Sequence, residues 1–246
     1  MEALTINLRK LSRLYLAIVL ICVAGPGLTD ELRNCSQKQY NIKVVPANMS
    51  VAEKKTRFHC LVQPAIESIY LTLNRQFREV KTLIIQDQAS QRLEQLRTKY
   101  NVSNNDDLLA AIKPHPQSIT MAQAAIETAW GTSRFFRKAK NLFGIRPTNS
   151  KQPRIETIQQ SNGKSVWLRR YESIEDSVED YYLVLAKGKA FKAFRRLRLM
   201  TADPYQLVLK LTRYSERHHD YVRDLASIIR TNRFYELDQP SLAVNQ

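Results

Sequence analysis

Apolar residues at Phe58, Leu61, Val62, Ala65, Ile66, Ile69, Leu73 and Phe77 recur at the three- and four-residue spacing that lines one face of a helix. Pro64, inside this stripe, is expected to mark a kink or the start of a second helix. The runs "QASQRLEQLRTKY" and "NDDLLAAI" carry the pattern on, so residues from about 50 to 113 are predicted to be all helical, with charges of both signs on solvated faces. Two prolines in "KPHPQ", Lys113 to Gln117, then break helical continuity and set a unit boundary.

Beyond that boundary the pattern changes twice. Ser118 is placed to cap a helix ending at Gly131, and Thr132 or Ser133 to cap a short one running through Lys140. "RIETIQQSNGKSVWLRRY" then carries a hairpin signal, Asn162-Gly163 between two β-favouring runs. Helices return afterwards: Ser173 with Asp176 resembles a capping box, Asp203-Pro204 a cap with a first-turn proline, and "YVRDLASIIRTN" a closing amphipathic helix. The expected class is α+β, predominantly α-helical, with one small hairpin. The expected division is 1–24, a helical N-terminal region 25–113, a second unit 114–235 and a tail 236–246.

Composition adds little, because 43% hydrophobic and 25% charged residues describe a globular chain rather than a disordered one. Charge adds more: a formal +15, spread along the chain, suits an anionic polymer or surface without choosing among nucleic acid, membrane and acidic wall. The first residues narrow the compartment. Arg9, Lys10 and Arg13 precede an apolar run from Leu14 to Ala24 and then Gly-Pro-Gly, the order of a secretory signal. That run is shorter than the roughly 18–20 residues of a spanning helix, so cleavage after Ala24 is expected, with an uncleaved short anchor as the alternative. Export, and the lack of a basic motif interleaved with aromatics, argue against a nucleic-acid partner. Cys35 and Cys60 stand open between a disulfide and two unpaired thiols. No Cys/His spacing suits a metal, and the adjacent His218 and His219 point apart on a helix and read as surface residues.

Candidate chemistry lies in "QAAIETAWG", Gln123 to Gly131. On a helix Ala122, Ile126, Ala129 and Trp130 form the apolar face, and Glu127 shares an edge with Thr120 and Gln123. Its neighbours four residues away are Gln123 and Gly131, so no helix salt bridge is offered to it. A carboxylate in small, uncharged surroundings has its pKa raised by desolvation, and can then hold a proton near neutrality for a glycosidic oxygen. Spacing alone favours a plain surface glutamate. The surrounding residues shift the balance.

"QAAIETAWG" followed by "NLFGI", a hairpin, "RRYES" and a helix resembles the glucosaminidase domains of glycoside hydrolase family 73, over roughly residues 115 to 232. "VAEKKTRFHCLVQPAIESIY" and "GTSRFFRKAKNLFG" resemble the bacterial Bax proteins, unrelated to the apoptosis factor of that name. The resemblance implies a lysozyme-like fold, no cofactor, and peptidoglycan hydrolysis between N-acetylglucosamine and N-acetylmuramic acid in the periplasm or on the periplasmic side of the inner membrane. It puts Glu127 on the general acid, and Gln123, Trp130, Asn141, Phe143, Tyr171 and Tyr221 on the glycan-binding surface. Glu156, in the strand before the hairpin turn, matches the second carboxylate that a glycosidase of this kind needs. Tyr221 is preferred to Tyr214 as the tyrosine approaching the acid; the competing reading of Tyr221 is a packed core aromatic. Three departures stand out: Thr128 for the usual serine, Ala129 for the usual glycine, and Lys140 where asparagine is common.

Two other readings share these residues: a muramidase or lytic transglycosylase needing Glu127 alone, and a catalytically weak wall-binding module. The helical region before residue 113 is expected to dock an inner-membrane or wall-associated protein.

Overall fold

In the computed structural model, which describes residue 35 and residues 39–86, 91–161 and 164–239, the N-terminal apolar stripe becomes one helix, α1, Val51–Ile85. Ser50 and Glu53 close a reciprocal capping box at its start. Pro64 lies inside this one helix and does not begin a second, which was one of the two outcomes expected from sequence. It lies on the exposed face, so the Cys60 carbonyl that loses its amide partner opens towards water. Cys60 is joined to Cys35 by a disulfide, with Cα atoms 5.1 Å apart. The signal segment 1–24, the Asn162-Gly163 turn and the end of the tail from 240 lie outside the described residues.

After α1 come α2, Gln91–Tyr100, and α3, Asn105–Ile112, the latter capped by the Asn104 side chain. α4 spans Gln117–Glu127 and α5 spans Arg134–Ala139. β1, Arg154–Ser161, and β2, Lys164–Arg169, form the antiparallel hairpin. α6, Ile174–Lys187, starts on the Ser173–Asp176 capping box, and α8, Pro204–Val208, on Asp203 with proline in its first turn. Between them lie a 3-10 turn at Lys189–Phe191 and α7, Lys192–Met200. α9, His218–Thr231, and a 3-10 turn at Phe234–Asp238 close the chain. Predominantly helical α+β, with one two-stranded sheet among the described residues, is the observed class.

The first half of α1 belongs to the same core as the residues beyond 113. Phe58, Val62, Ala65 and Ile66 are buried with Ile119, Met121, Ala125, Phe136, Tyr181, Leu185, Leu225 and Ile229. A second cluster joins Val80 to α2 and α3 through Leu93, Leu96, Leu108 and Ile112. The two prolines do end one helix and precede the next, yet His115 between them is fully buried.

α4 differs from expectation at both ends. Its N-cap is Pro116, which offers no side-chain acceptor, and the Ser118 amide instead donates to Asp238 Oδ1 at 2.9 Å, from the closing turn. At its other end the helix stops at Glu127 rather than at Gly131. Ala129, Trp130 and Gly131 are all left-handed, with φ of 50°, 60° and 73°. Three such residues in succession cannot continue a right-handed helix.

Candidate active site

Thr128 accounts for the stop. Its hydroxyl donates to the Ala124 carbonyl at 2.6 Å and accepts from the Gly131 amide at 2.8 Å, folding the chain back over the last helical turn. Arg57 of α1 reaches across to donate to the Gly131 carbonyl at 3.1 Å, and its other nitrogen donates to the carbonyls of Asn41, Ile42 and Val44. This arginine is 1% exposed and burial lowers its pKa, yet each of these hydrogen-bond partners is a neutral carbonyl. One buried cation therefore ties the 41–44 segment, α1 and the turn after Glu127 together. A side chain at Gly131 would sit 3.2 Å from Phe58 and 3.3 Å from Phe136 in a left-handed backbone, which makes glycine necessary there.

The Glu127 carboxyl is open to solvent at its surface, yet enough protein surrounds it that desolvation raises its pKa above the ordinary carboxylate value. The two observations are compatible: a group on a wall of protein touches water on one side and has lost hydration on the other. The opposing influence is a hydrogen bond from the Tyr221 hydroxyl to Oε1, at 3.1 Å. Behind Tyr221 a chain of polar groups runs into the core. Gln123 Nε2 donates to the Tyr221 oxygen at 2.9 Å, and Tyr181 donates to Gln123 Oε1 at 2.5 Å. His115 Nε2 lies 3.0 Å from the Tyr181 oxygen and 3.0 Å from Thr120 Oγ1.

The direction of this chain follows from burial. His115 is kept neutral, its pKa held well below the usual value by desolvation and then by Arg198. Its Nδ1 is buried without a partner. A bare acceptor is cheaper to bury than an orphaned N–H, so the hydrogen belongs on Nε2. Every donor from His115 through Tyr181, Gln123 and Tyr221 then points towards Glu127. Oε1 is thereby committed as an acceptor, which leaves Oε2 to carry a transferable proton.

The sequence-derived candidates fall into three groups. Gln123 and Tyr221 converge on Glu127, but Gln123 is fully buried and stands behind the tyrosine, with no face open to the surface where the sequence reading placed glycan. Asn141 and Phe143 are buried too. Asn141 donates to the carbonyls of Ile145 and Arg169 and accepts from the amides of Phe143 and Ile145, which uses its whole amide to hold the loop after α5. Phe143 stacks on Tyr181, with ring centroids 4.0 Å apart. Tyr171 is 6% exposed and donates to Asp180 at 2.6 Å, beside a cavity of about 420 Å³ that does not reach Glu127. None of these three presents a free face to a sugar where the sequence reading placed one.

Trp130 is half-buried, edge-on to Phe58 at 5.6 Å with the Lys55 ammonium 5.0 Å above its ring. Glu156 is exposed on β1, accepts from the Ser165 hydroxyl, and its carbonyl accepts from Arg134 at 3.0 Å. Trp167 stands opposite it in the sheet. Lys140 is the left-handed cap of α5, with φ of 51°, a conformation asparagine tolerates better than lysine. His115, Tyr181, Arg57 and Trp167 were missed from sequence; the one signal available was the pair Tyr181-Tyr182 on an apolar helix face, where buried hydroxyls need partners. Among the described residues no three His, Cys, Asp or Glu side chains gather as a metal site.

Residues 107–234, more than half of the chain, match the family described as Mannosyl-glycoprotein endo-beta-N-acetylglucosaminidase. The exo-glucosaminidase LytG of Bacillus subtilis is 27% identical over 130 residues, covering 50% of this chain and 45% of that protein. Protein bax of Escherichia coli is 26% identical over 156 residues, 58% of this chain and 55% of its own. The chain thus spans about half the length of these relatives. The catalytic domain of the autolysin Auto from Listeria monocytogenes superposes with a TM-score of 0.44 at 20% identity, over 86% of this chain and 98% of that one.

Proposed function

The chain belongs to the mannosyl-glycoprotein endo-beta-N-acetylglucosaminidase family, and from that premise we propose that it is a peptidoglycan hydrolase cleaving the glycan strand after N-acetylglucosamine. Glu127 is its general acid. The observation that carries this reading is a solvent-reachable carboxyl at a helix end, with raised pKa and one oxygen held by Tyr221. A proton on Oε2, held more tightly than on an ordinary carboxyl, passes to the glycosidic oxygen as the bond to the anomeric carbon breaks. Tyr221 orients the carboxyl, and Trp130 supplies a ring beside it for a sugar face.

Glu156 is the second carboxylate in this reading. Its exposure on the hairpin, opposite Trp167, supports it, and Arg134 on its carbonyl ties the strand to the turn that follows Glu127. Residues 114–235 carry the chemistry and 25–113 brace it, α1 doing so through Arg57 and its disulfide. The substrate is wall glycan, whose acidic stems suit a chain of net charge +15. Location in the periplasm, free or attached to the inner membrane, is supported by the order of residues 9–24 and by the disulfide, which persists in oxidising compartments. Among the described residues no helix is long and apolar enough to cross a membrane. A wall-associated or inner-membrane protein partner for the α1–α3 region belongs to the same proposal.

Digestion of purified sacculi with mass analysis of the products tests it, with wild type, Glu127→Gln and Glu156→Gln side by side. Reducing N-acetylglucosamine ends, lost in the first variant, are expected. Anhydromuramoyl ends would make the enzyme a lytic transglycosylase, and binding without any lysis a wall-binding module.

A further inference from the structure

A cavity of about 650 Å³ opens between α2, α3, the end of α6 and α7, and none of the residues around Glu127 lines it. Six cations do: Arg97, Lys187, Lys189, Lys192, Arg195 and Arg196. Two acids share the wall, Glu94 and Asp107. Glu94 is paired with Arg97 at 2.5 Å, and Asp107 is held by Asn104 at the start of α3. Lys187, Lys189, Lys192 and Arg196 are exposed, and among the described residues none has a carboxylate within ion-pairing distance.

The arrangement is built rather than incidental to a basic surface. Arg195 donates from one nitrogen to the carbonyls of Leu185 and Gly188, at 3.1 and 2.7 Å, and so anchors α7 against the end of α6. Lys189, Lys192 and Arg196 follow at intervals of three and four residues, which puts them on one side of the same turn and helix. Like charges gathered around one opening repel each other, and six cations face only two acids there, which leaves Lys187, Lys189, Lys192 and Arg196 without an ion-pair partner among the described residues. A volume of this size accommodates a discrete multiply charged group. A single carboxylate would balance one of these cations. Adjacent phosphates balance several, through the donor geometry that lysine and arginine offer to phosphate oxygens.

We propose that this cavity is a second ligand site, separate from the glycan site, for a group bearing at least two phosphate charges, whether a free phosphorylated compound or the headgroups of an anionic lipid surface. The site does not depend on the hydrolase reading, and its readout is binding rather than lysis.

The test is calorimetric titration of the full chain with pyrophosphate, with citrate as a carboxylate of comparable charge. The variant Lys187→Glu/Lys189→Glu/Lys192→Glu/Arg196→Glu should bind pyrophosphate at least about tenfold more weakly. A control with equal net charge, Lys43→Glu/Lys81→Glu/Lys151→Glu/Lys210→Glu, alters exposed cations away from the cavity and should bind as wild type does. Vesicles of phosphatidylglycerol in phosphatidylcholine identify the source: binding that pyrophosphate displaces and the cavity variant loses assigns lipid headgroups, and pyrophosphate binding without vesicle binding assigns a soluble ligand. Absence of saturable pyrophosphate binding to wild type overturns the site, as does equal loss in the two variants. Citrate binding as tight as pyrophosphate overturns the phosphate class.

Discussion

The Tyr221 hydroxyl donates to Glu127 Oε1 across 3.1 Å, joining α9 to the last residue of α4 over 94 positions of sequence. This bond and desolvation act on the Glu127 proton in opposite directions, and desolvation is the larger. A carboxyl so placed costs the fold stability once it ionises. Its penalty is absent below the unfolded pKa and complete above the raised folded value.

Glu127→Gln should therefore separate activity from stability. Wall lysis is expected to fall at least about 100-fold, the usual contribution of a general acid. Thermal unfolding near neutrality should shift upward, on the order of 1–3 °C, with the difference disappearing in acid. Equal Tm shifts at neutral and acid pH would remove the desolvated-carboxyl account.

Tyr221→Phe removes the donor that favours the ionised carboxylate. The pKa of Glu127 should rise, and the basic limb of the pH–rate profile should move to higher pH while kcat falls about 10–100-fold from lost orientation. Gln123 Nε2 is left buried without its acceptor, which should cost about 1–3 kcal/mol in urea unfolding. A limb that stays in place would show that Tyr221 does not set the proton affinity.

Ala129→Gly addresses the turn after the acid. Alanine at φ 50° bears left-handed strain that glycine does not. After allowing for the freer unfolded chain, the variant should gain about 0.5–1 kcal/mol. The comparison to make is the urea midpoint of the two proteins at equal m-value, and an unchanged or lower midpoint would refute strain at this residue.

His59 governs part of the acid response. Both ring nitrogens are buried without partners, and burial pushes the pKa down to about 4 from its ordinary 6.5. The unfolded chain takes up a proton that the folded one refuses, so stability is full above the unfolded value and is lost as pH falls through about 4. His115 acts in the same sense, whereas Asp238, raised to about 6 by burial, opposes both because the folded state holds its proton more tightly. Urea unfolding at neutral pH and near pH 4.5 should show His59→Leu losing about 2 kcal/mol less than wild type over that interval.

The hairpin shows how far sequence patterning reaches. Asn162-Gly163 predicted a turn between two strands, and Ser161 does pair with Lys164 and Gln160 with Ser165. Continued without interruption, that register would set Glu156 against Arg169. The irregularity between Glu156 and Gln160 sets it against Trp167 instead, because β1 contains two residues more than its partner over that span. Strand propensity does not reveal where an extra pair of residues will be absorbed.

Local rules were enough for the Ser173–Asp176 capping box, the Asp203-Pro204 start, the α1 stripe and the prominence of Glu127 in an alanine-rich segment. These depend on neighbours three and four residues apart, which the chain order displays directly. The direction of the donors behind Glu127, the burial of Gln123 and Asn141, and the reach of Arg57 to Gly131 depend on groups brought together from distant helices. A side chain's amide looks the same in sequence whether it faces a sugar or a carbonyl. Only packing determines which partner lies within 3 Å of it, because that distance is set by how the helices cross and not by their spacing along the chain.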